Sequence, residues 1–523
     1  MQHIAEGVVA VMPESLLTKQ INLLSQADTS RKIANGKLRR ETKGAFGQYM
    51  TPAPIASFMA ALLPVSGKQE IRLLDPGAGV GSLSSAFVEA LCKKRISNHI
   101  DINAYEIDPV LWPYLEETLD LCAKTGTSVG CNVTWDIIKE DFIEQASRKL
   151  SSVCSFWPEK VSTFTHCIMN PPYRKLASTS HYQTLLHSLG IKTVNLYSAF
   201  VMLSISLLED GGHLVAIIPR SFCNGAYYLP FREFLLKHTS IRRIHLFGSR
   251  RSAFKEDNVL QENIILLLQK NGKQENVTVS FSNDGDFSNM SIADYSFSQI
   301  VQDGSKELFI HIPIPSEANG SDHIDVFKYS LDEIGLQVST GPVVDFRVKE
   351  FLREMPEAET VPLLYSCHLK GDHIEWPIKG CKKPNAILID DRTRKWLYPN
   401  GFYTVVRRFS SKEEKKRIVA TVIDPASFKD MDMLGIENHL NVFHYSKGPI
   451  SQELATGLMV YLNSTIFDDG FRRFSGHTQV NATDLRAMRY PSRETLIELG
   501  TWAILNHNIN QTTIDQKVES LAK

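Results

Sequence analysis

Apolar side chains in the first half of the chain come in short runs that stop at glycine, proline or an acid. Ile71-Arg72-Leu73-Leu74 is one such run; it closes on Asp75-Pro76-Gly77, and a helix is predicted from about Ser82. Ile102 to Asp108 reads as the next strand, about one helix later. Glu140-Asp141-Phe142 ends a third stretch, and Cys167-Ile168-Met169 leads straight into Asn170-Pro171-Pro172-Tyr173. Strands and helices alternate in this way to about residue 270, the pattern of an α/β domain whose largely parallel sheet is joined by right-handed crossovers. Ligands of such sheets sit at the carboxyl ends of the strands, where these acids and the proline turn fall. Upstream, Ser15-Leu16-Leu17 and Ile21, Leu23, Leu24 share the spacing of one helical face. Residues 271 to 321 are polar and rich in Asn, Ser, Asp and Gly, which marks a boundary. The expected organisation is a helical arm over 1–45, an α/β domain over 46–270, a boundary or linker over 271–335 and a second domain over 336–523.

The proline turn carries the sharpest chemistry. The side-chain oxygen of Asn170 and the backbone carbonyl of Pro171 can each accept one hydrogen of an exocyclic amino group. That favours a tetrahedral nitrogen whose lone pair points at an electrophile, with no strong base required. Pro172 fixes its own φ and restricts Pro171, so the acceptors are held before substrate arrives. Tyr173 supplies an aromatic face for a base taken out of its stack. The plainer reading of the tetrapeptide is a strand followed by a proline turn.

The surrounding motifs favour the chemical reading. Gly77, Gly79 and Gly81 alternate after Asp75, which is not the G-x-G-x-x-G spacing of a dinucleotide site. An acid there repels a pyrophosphate and attracts a cationic amino-acid moiety. Glu106, ending the next strand with Ile107 beside it, is placed to read ribose hydroxyls. Asp141 can accept from an adenine amino group while Phe142 packs on its ring. Each feature alone has a structural explanation; in series they describe a nucleoside pocket beside the amine-gripping turn.

In these motifs the chain resembles the amino-methyltransferases of bacterial restriction-modification systems, specifically the adenine-modifying, TaqI-like gamma class. The resemblance covers about residues 40 to 270 and, more loosely, the C-terminal half. It implies a Rossmann-like class I methyltransferase sheet, S-adenosylmethionine as methyl donor, and a C-terminal mixed α+β target-recognition domain. Gly47-Gln48-Tyr49-Met50-Thr51-Pro52 looks like the family segment that closes over the donor, so Tyr49, Thr51 and Pro52 are expected at its methionine end. Asp75, Gly77 and Gly79 would lie beneath it, Glu106 and Ile107 at the ribose, and Asp141 and Phe142 at the adenine. Leu196-Tyr197-Ser198-Ala199-Phe200 looks like the next helix, with Phe200 covering the donor's ring. Gly211 to Pro219 resembles the glycine turn and strand that follow. Phe254, ahead of the strand Asn263 to Leu268, matches the second aromatic against the flipped base. Asp75 stands where many members have Glu, and either carboxylate serves. The serine-rich stretch Ser147 to Val161 is expected to be a surface loop without an assigned role.

Composition narrows the picture without changing it. A chain of 523 residues exceeds what one core sustains, so two domains are expected. Net charge is −1 with a pI near 7.0, so no global field draws nucleic acid. Basic charge is local instead. Arg31, Lys32, Lys37, Arg39, Arg40 and Lys43 face only Glu41 over residues 31–43, and nine basic side chains face Asp391, Glu413 and Glu414 over residues 391–420. Such runs are solvated faces by default and phosphate contacts beside a DNA-modifying pocket. None of the eight cysteines forms C-x-x-C, so neither a zinc ribbon nor a thioredoxin-type site is indicated, and the reducing cytoplasm fits. Glu6, Glu14 and Lys19 break any signal-peptide core, and no run approaches the about 18 apolar residues of a membrane span.

In the C-terminal half, Val338 to Arg347 looks like the opening of the family's recognition region. Tyr403 to Lys412 and Phe471 to Asn481 interleave arginines, aromatics and amides. Arginine and Asn/Gln suit bidentate reading of guanine and adenine edges, which selects Arg407, Arg408, Arg472, Arg473, Gln479 and Asn481 as base-reading residues. The structural alternative is that half of them form salt bridges or phosphate contacts. The expected activity is site-specific N6-adenine methylation of double-stranded DNA by a monomer, with no metal, no membrane and a separate cognate endonuclease. Two other readings compete. A methyltransferase acting on a glutamine side chain or a ribosomal-RNA guanine would share the tetrapeptide but typically lack both the closing segment and a large downstream domain. A combined nuclease and methyltransferase would rest on Asp391, Glu413 and Lys415.

Overall fold

The computed structural model describes residues 22–38, 50–65, 70–94, 99–153, 163–177, 179–248, 262–301, 306–313, 315, 327–371, 373–410, 414–474, 479–506 and 509–521. The chain divides into two compact units, Met1–Ser316 and Glu317–Lys523.

The first unit is a nine-stranded sheet flanked by helices. In chain order the strands are β1 (Glu70–Pro76), β2 (His99–Tyr105), β3 (Asn132–Ile138), β4 (Phe164–Met169), β5 (Leu208–Pro219), β6 (Thr239–Phe247), β7 (Asn263–Lys270), β8 (Val277–Ser282) and β9 (Ser291–Tyr295). Their order across the sheet is β3-β2-β1-β4-β5-β7-β6-β8-β9. The pairs among β1 to β5 are all parallel, whereas β7 inserts antiparallel between β5 and β6. The expected parallel sheet therefore holds through β5 and becomes mixed beyond it. Periodicity could not show this reversal, because a buried strand reads the same in either direction. The class is Rossmann-like α/β, as expected.

Successive residues of the central strands point to opposite faces. Leu74, Cys167, Met169, Leu214 and Ala216 join one core with the helices α5 (Phe142–Val153), α7 (Leu196–Leu207) and α8 (Leu229–His238). Ile71, Leu73, Ile168, Val215 and Ile217 join the other, under α1 (Leu23–Lys37), α2 (Ala53–Leu62), α3 (Ser82–Lys93) and α4 (Trp112–Ser128). Burial on both faces explains the continuous apolar runs. One further helix, α6 (His181–Ser188), follows the proline turn.

Two further expectations change. Residues 147–153 are not loop but the last two turns of α5, because Phe142, Ile143, Ala146 and Leu150 keep a helical apolar face despite the serines; the following residues to 162 lie outside those described. The polar segment after 270 contributes β8 and β9 to the same sheet. Val277 and Val279 are buried on β8 and supply the apolar half of an alternating pattern that overall polarity conceals.

The second unit combines a four-stranded sheet (Gln337–Thr340, Leu440–His444, Tyr403–Arg407, Ala420–Ile423), a five-stranded sheet and C-terminal helices. Helices Gln452–Leu462 and Arg493–Leu505 pack so closely that a Cβ at Gly457 or Gly500 would lie 1.8 Å from a facing carbonyl oxygen. Among the described residues no helix is long and apolar enough to cross a membrane.

Candidate functional site

A cleft of about 1160 Å³, counted out to its open mouth, lies at the carboxyl ends of β1, β2 and β4. Its floor is the turn after β1. Gly77, Gly79 and Gly81 have φ of +80°, +61° and +82°, the left-handed region that residues with a Cβ rarely adopt. The amides of Gly77 and Ala78 bind the Tyr105 carbonyl (2.9 and 2.8 Å), tying the turn to the end of β2. Above Gly79 a Cβ would meet nothing within 4 Å, and above Gly77 only Phe200 Cε1 at 3.8 Å. The turn therefore offers backbone to the cleft, with Phe200 opposite.

Two buried acids flank this floor. Glu106 accepts the Gly79 amide on Oε2 (2.8 Å) and the Asp108 amide on Oε1 (2.7 Å). Burial pushes its carboxyl up to about 7, against the opposing effect of those amides. It lies on the cleft wall next to Ile107, 43 % exposed. Asp75 is fully buried and lies beneath the wall rather than on it. Its Oδ2 accepts from Ser84 Oγ (2.6 Å), its Oδ1 has no hydrogen-bond partner among the described residues, and burial raises it too to about 7. Asp75 is thus tied by Ser84 to the start of α3 beneath the cleft floor.

Asp141 and Phe142 line the far end. Asp141 Oδ1 accepts the Glu144 amide and starts α5, while Oδ2 accepts from the Tyr182 hydroxyl (2.7 Å). Burial, then that carboxylate, holds the Tyr182 phenol far above its ordinary pKa. Phe142 packs against Phe200 at 4.9 Å and edge-on to Tyr105 at 5.1 Å.

Asn170, Pro172 and Arg174 stand on the same wall, so the structure brings the proline turn and the glycine turn to one cavity. Asn170 Nδ2 donates to Thr51 Oγ1 (3.1 Å), linking the turn to the segment ahead of α2. Its Oδ1 accepts from Tyr173 Oη (2.8 Å), which also lies 3.0 Å from the Ile217 carbonyl. A phenol has one proton, so it serves one acceptor at a time. Tyr173 is anchored by this hydroxyl, half-buried, and not part of the cleft wall; Pro171 is buried between its neighbours. Met50 and Thr51 reach the cleft, whereas Pro52 caps α2 outside it and Tyr49 lies outside the described residues. Arg174 and Tyr182 line the cleft without having been singled out in the sequence. Arg174 follows the tetrapeptide directly, which was the available signal; Tyr182 had none.

The basic and amide side chains of the second unit are largely committed. Arg408 donates to the Asn438 carbonyl (3.1 Å) and to Gln479 Oε1 (3.3 Å). Arg472 pairs with Asp468 (2.6 Å) and donates to the Glu414 carbonyl (2.9 Å). Asn481 caps the helix Ala482–Ala487 in a reciprocal box with Asp484. Arg407 pairs with Glu414. The Arg473 side chain and Phe254 lie outside the described residues. Among the described residues no group of His, Cys, Asp and Glu is arranged to hold a metal.

Residues 111–254 match the family described as Eco57I restriction-modification methylase. The chain is 50 % identical over 500 residues to the type II methyltransferase M.BsuBI of Bacillus subtilis, covering 95 % of this chain and 98 % of that one. It is 41 % identical over 507 residues to M.PstI of Providencia stuartii, covering 97 % and 98 %. Among solved structures, the type IIL restriction-modification enzyme MmeI in complex with DNA shares the fold with a TM-score of 0.50 and 11 % identity, over 97 % of this chain and 73 % of that one.

Proposed function

The chain belongs to the type II DNA methyltransferases of restriction-modification systems, and on that premise we propose that it transfers a methyl group from S-adenosylmethionine to the N6 nitrogen of an adenine flipped out of double-stranded DNA. The observation that carries this reading is the single cleft shared by Gly77, Gly79, Glu106 and Asp141 with Asn170 and Pro172.

The residues present fit the donor. The open space above Gly79 admits a ligand against the backbone, and Glu106 is an acceptor for ribose hydroxyls. Phe200 and Ile107 offer apolar cover for a purine, with Asp141 at its amino edge. Thr51, held by Asn170, and Asp75 beneath the turn belong to the methionine end, with Tyr49 and Pro52 assigned to the same segment. When bound, the donor supplies an electrophilic methyl on a sulfonium.

The protein's share is grip and orientation. Asn170 Oδ1 and the Pro171 carbonyl accept the two amino hydrogens and leave the nitrogen lone pair directed at the methyl. Asn170 becomes available when the Tyr173 hydroxyl donates its hydrogen bond to the Ile217 carbonyl alone, 3.0 Å away. Tyr173 then stacks on the base with its exposed face, its hydroxyl still anchored, and Phe254 covers the other side. Rate arises from alignment rather than from a titrating base. The second unit reads the DNA, with Arg407, Arg473 and Gln479 as candidate contacts while Arg408, Arg472 and Asn481 hold the fold around them, and the enzyme protects sites from a separate endonuclease. Asparagine at 170 supports adenine.

Incubation with labelled S-adenosylmethionine and duplex DNA, followed by nucleoside analysis, tests the reading. N6-methyladenine is expected; N4-methylcytosine, or transfer only to RNA or protein, would overturn it.

A further inference from the structure

The second unit carries a small depression of about 380 Å³, counted out to solvent, lined by Ser366, Arg407, Phe409 and His439. We propose that it is a base-reading site in which His439, a residue outside the arginine and amide runs, meets the edge of one DNA base. The proposal rests on the second unit being the DNA-reading one.

The case starts with how His439 is held. Glu437 is completely buried, and both its oxygens face the ring: Nδ1 lies 2.6 Å from Oε1 and 2.8 Å from Oε2, and the His439 amide donates to Oε2 at 2.9 Å. A carboxylate only accepts, so Nδ1 carries a proton in either charge state of the ring. Nε2 is thereby assigned outward, and among the described residues it has no partner. The imidazole is 42 % exposed.

The turn beneath is fastened on several sides. Asn438 N–H donates to the Val343 carbonyl (2.9 Å), Leu440 N–H to the Glu437 carbonyl (3.0 Å), and Arg408 N–H to the His439 carbonyl (2.9 Å). The Arg408 guanidinium closes on the Asn438 carbonyl and Gln479. Two residues selected from the sequence as readers thus brace the turn that presents a third. A fixed rotamer on a fixed backbone is what discrimination at a base edge requires, since a loose side chain adapts to any base.

The surroundings suit a nucleic acid. Phe409, 42 % exposed, packs against the imidazole at 4.9 Å and gives the depression an apolar wall for a base or a thymine methyl. Arg407 lines the depression with its guanidinium paired to Glu414, and its Nε is buried without a hydrogen-bond partner among the described residues. Phe346, 64 % exposed, lies on the neighbouring turn with the Arg347 guanidinium 5.5 Å from its ring centroid. The adjoining Asp345 is neutralised by Lys383 at 2.7 Å. The carboxylate within the site, Glu437, is buried under the imidazole and bonded by the ring and amide of His439, so ring atoms rather than carboxylate oxygens face solvent.

Selection of bound duplexes from a randomised pool, with the full chain as wild type and as His439→Ala, tests the site without requiring methyl transfer. Relaxed preference confined to one base position, with about tenfold or more weaker binding of the wild-type site, is expected. A relaxed cytosine reports a neutral ring accepting at Nε2, a relaxed guanine or thymine an imidazolium donating there, and a relaxed adenine either, since it offers N6–H and N7. An unchanged consensus, or uniformly weaker binding at every sequence, overturns the proposal, the latter marking a phosphate contact or a structural role. Circular dichroism establishes folding, and His439→Gln, expected to alter preference at that same position, carries the test should the alanine variant not fold. Failure of the wild type to methylate any selected duplex would count against the proposed activity alone.

Discussion

The cleft of the first unit and the depression of the second are built by opposite means. Around the cleft, the lining groups follow strand ends within a few residues: Gly77 after β1, Glu106 after β2, Asn170 after β4. They use backbone amides, left-handed glycines and buried carboxylates, which have few alternative uses. In the depression, Ser366, the Arg407–Phe409 segment and His439 arrive from three separate parts of the chain, and the arginines and amides nearby serve structure first. A binding site made of backbone geometry leaves a local mark on the sequence, whereas one made of side chains on connecting turns exists only after packing.

The sharpest way to break this contrast is at the proline turn. Asn170→Ala is expected to lower methyl transfer by about a thousandfold, the scale of losing a positioned oxygen or amide group at the reacting centre. Donor affinity by calorimetry should stay within about a factor of three. Near-wild-type transfer would remove the amine-gripping role.

A lesser effect is expected in the second unit. Arg408→Ala deletes the bonds to the Asn438 carbonyl and Gln479 and should cost about 2 kcal/mol in urea unfolding, the scale of a lost charged hydrogen bond. Unchanged stability with altered sequence preference would make Arg408 a direct reader and blur the distinction drawn here.

Acidity offers a third probe, since burial lifts Glu106 to about 7. Ribose hydroxyls donate best to its ionised form, so donor affinity should be full above that value and fall as pH drops through it, by up to about tenfold near pH 6. Titration calorimetry against pH checks this, and a flat profile would detach Glu106 from the ribose. The fold itself follows the reverse sign. A carboxyl raised in the native state binds the extra proton there, so its contribution to stability is present below the unfolded value, near 4, and is lost as pH rises through about 7.

The smallest effect belongs to Asn481→Ala, which removes a helix cap and should cost about 1 kcal/mol by chemical denaturation, with sequence preference intact. A change in the DNA motif without loss of stability would restore Asn481 as a base contact.

Much of the first unit was legible before any coordinates. The strands β1 to β5, the helix at Ser82 and the cavity-facing positions of Gly77, Gly79, Glu106, Asp141, Phe142 and Asn170 follow from runs, breakers and acids at strand ends. The antiparallel β7 was not legible, because buried strands carry no sign of direction, and β8 was hidden by its polar face. The serine-rich stretch from 147 misled, since composition hid a helical apolar face.

Taken alone, the sequence determined the chemistry at strand ends, because a left-handed glycine or a proline-locked carbonyl is fixed by covalent geometry within a few residues. Tertiary structure decided which polar groups remain available. It turned Tyr173 inward onto Ile217, set Asp75 beneath the wall, spent Arg408 on a turn, and aimed His439 outward over a buried carboxylate. A side chain's hydrogen bonds are allotted among neighbours distant in sequence, and that allocation is settled only when the chain has folded.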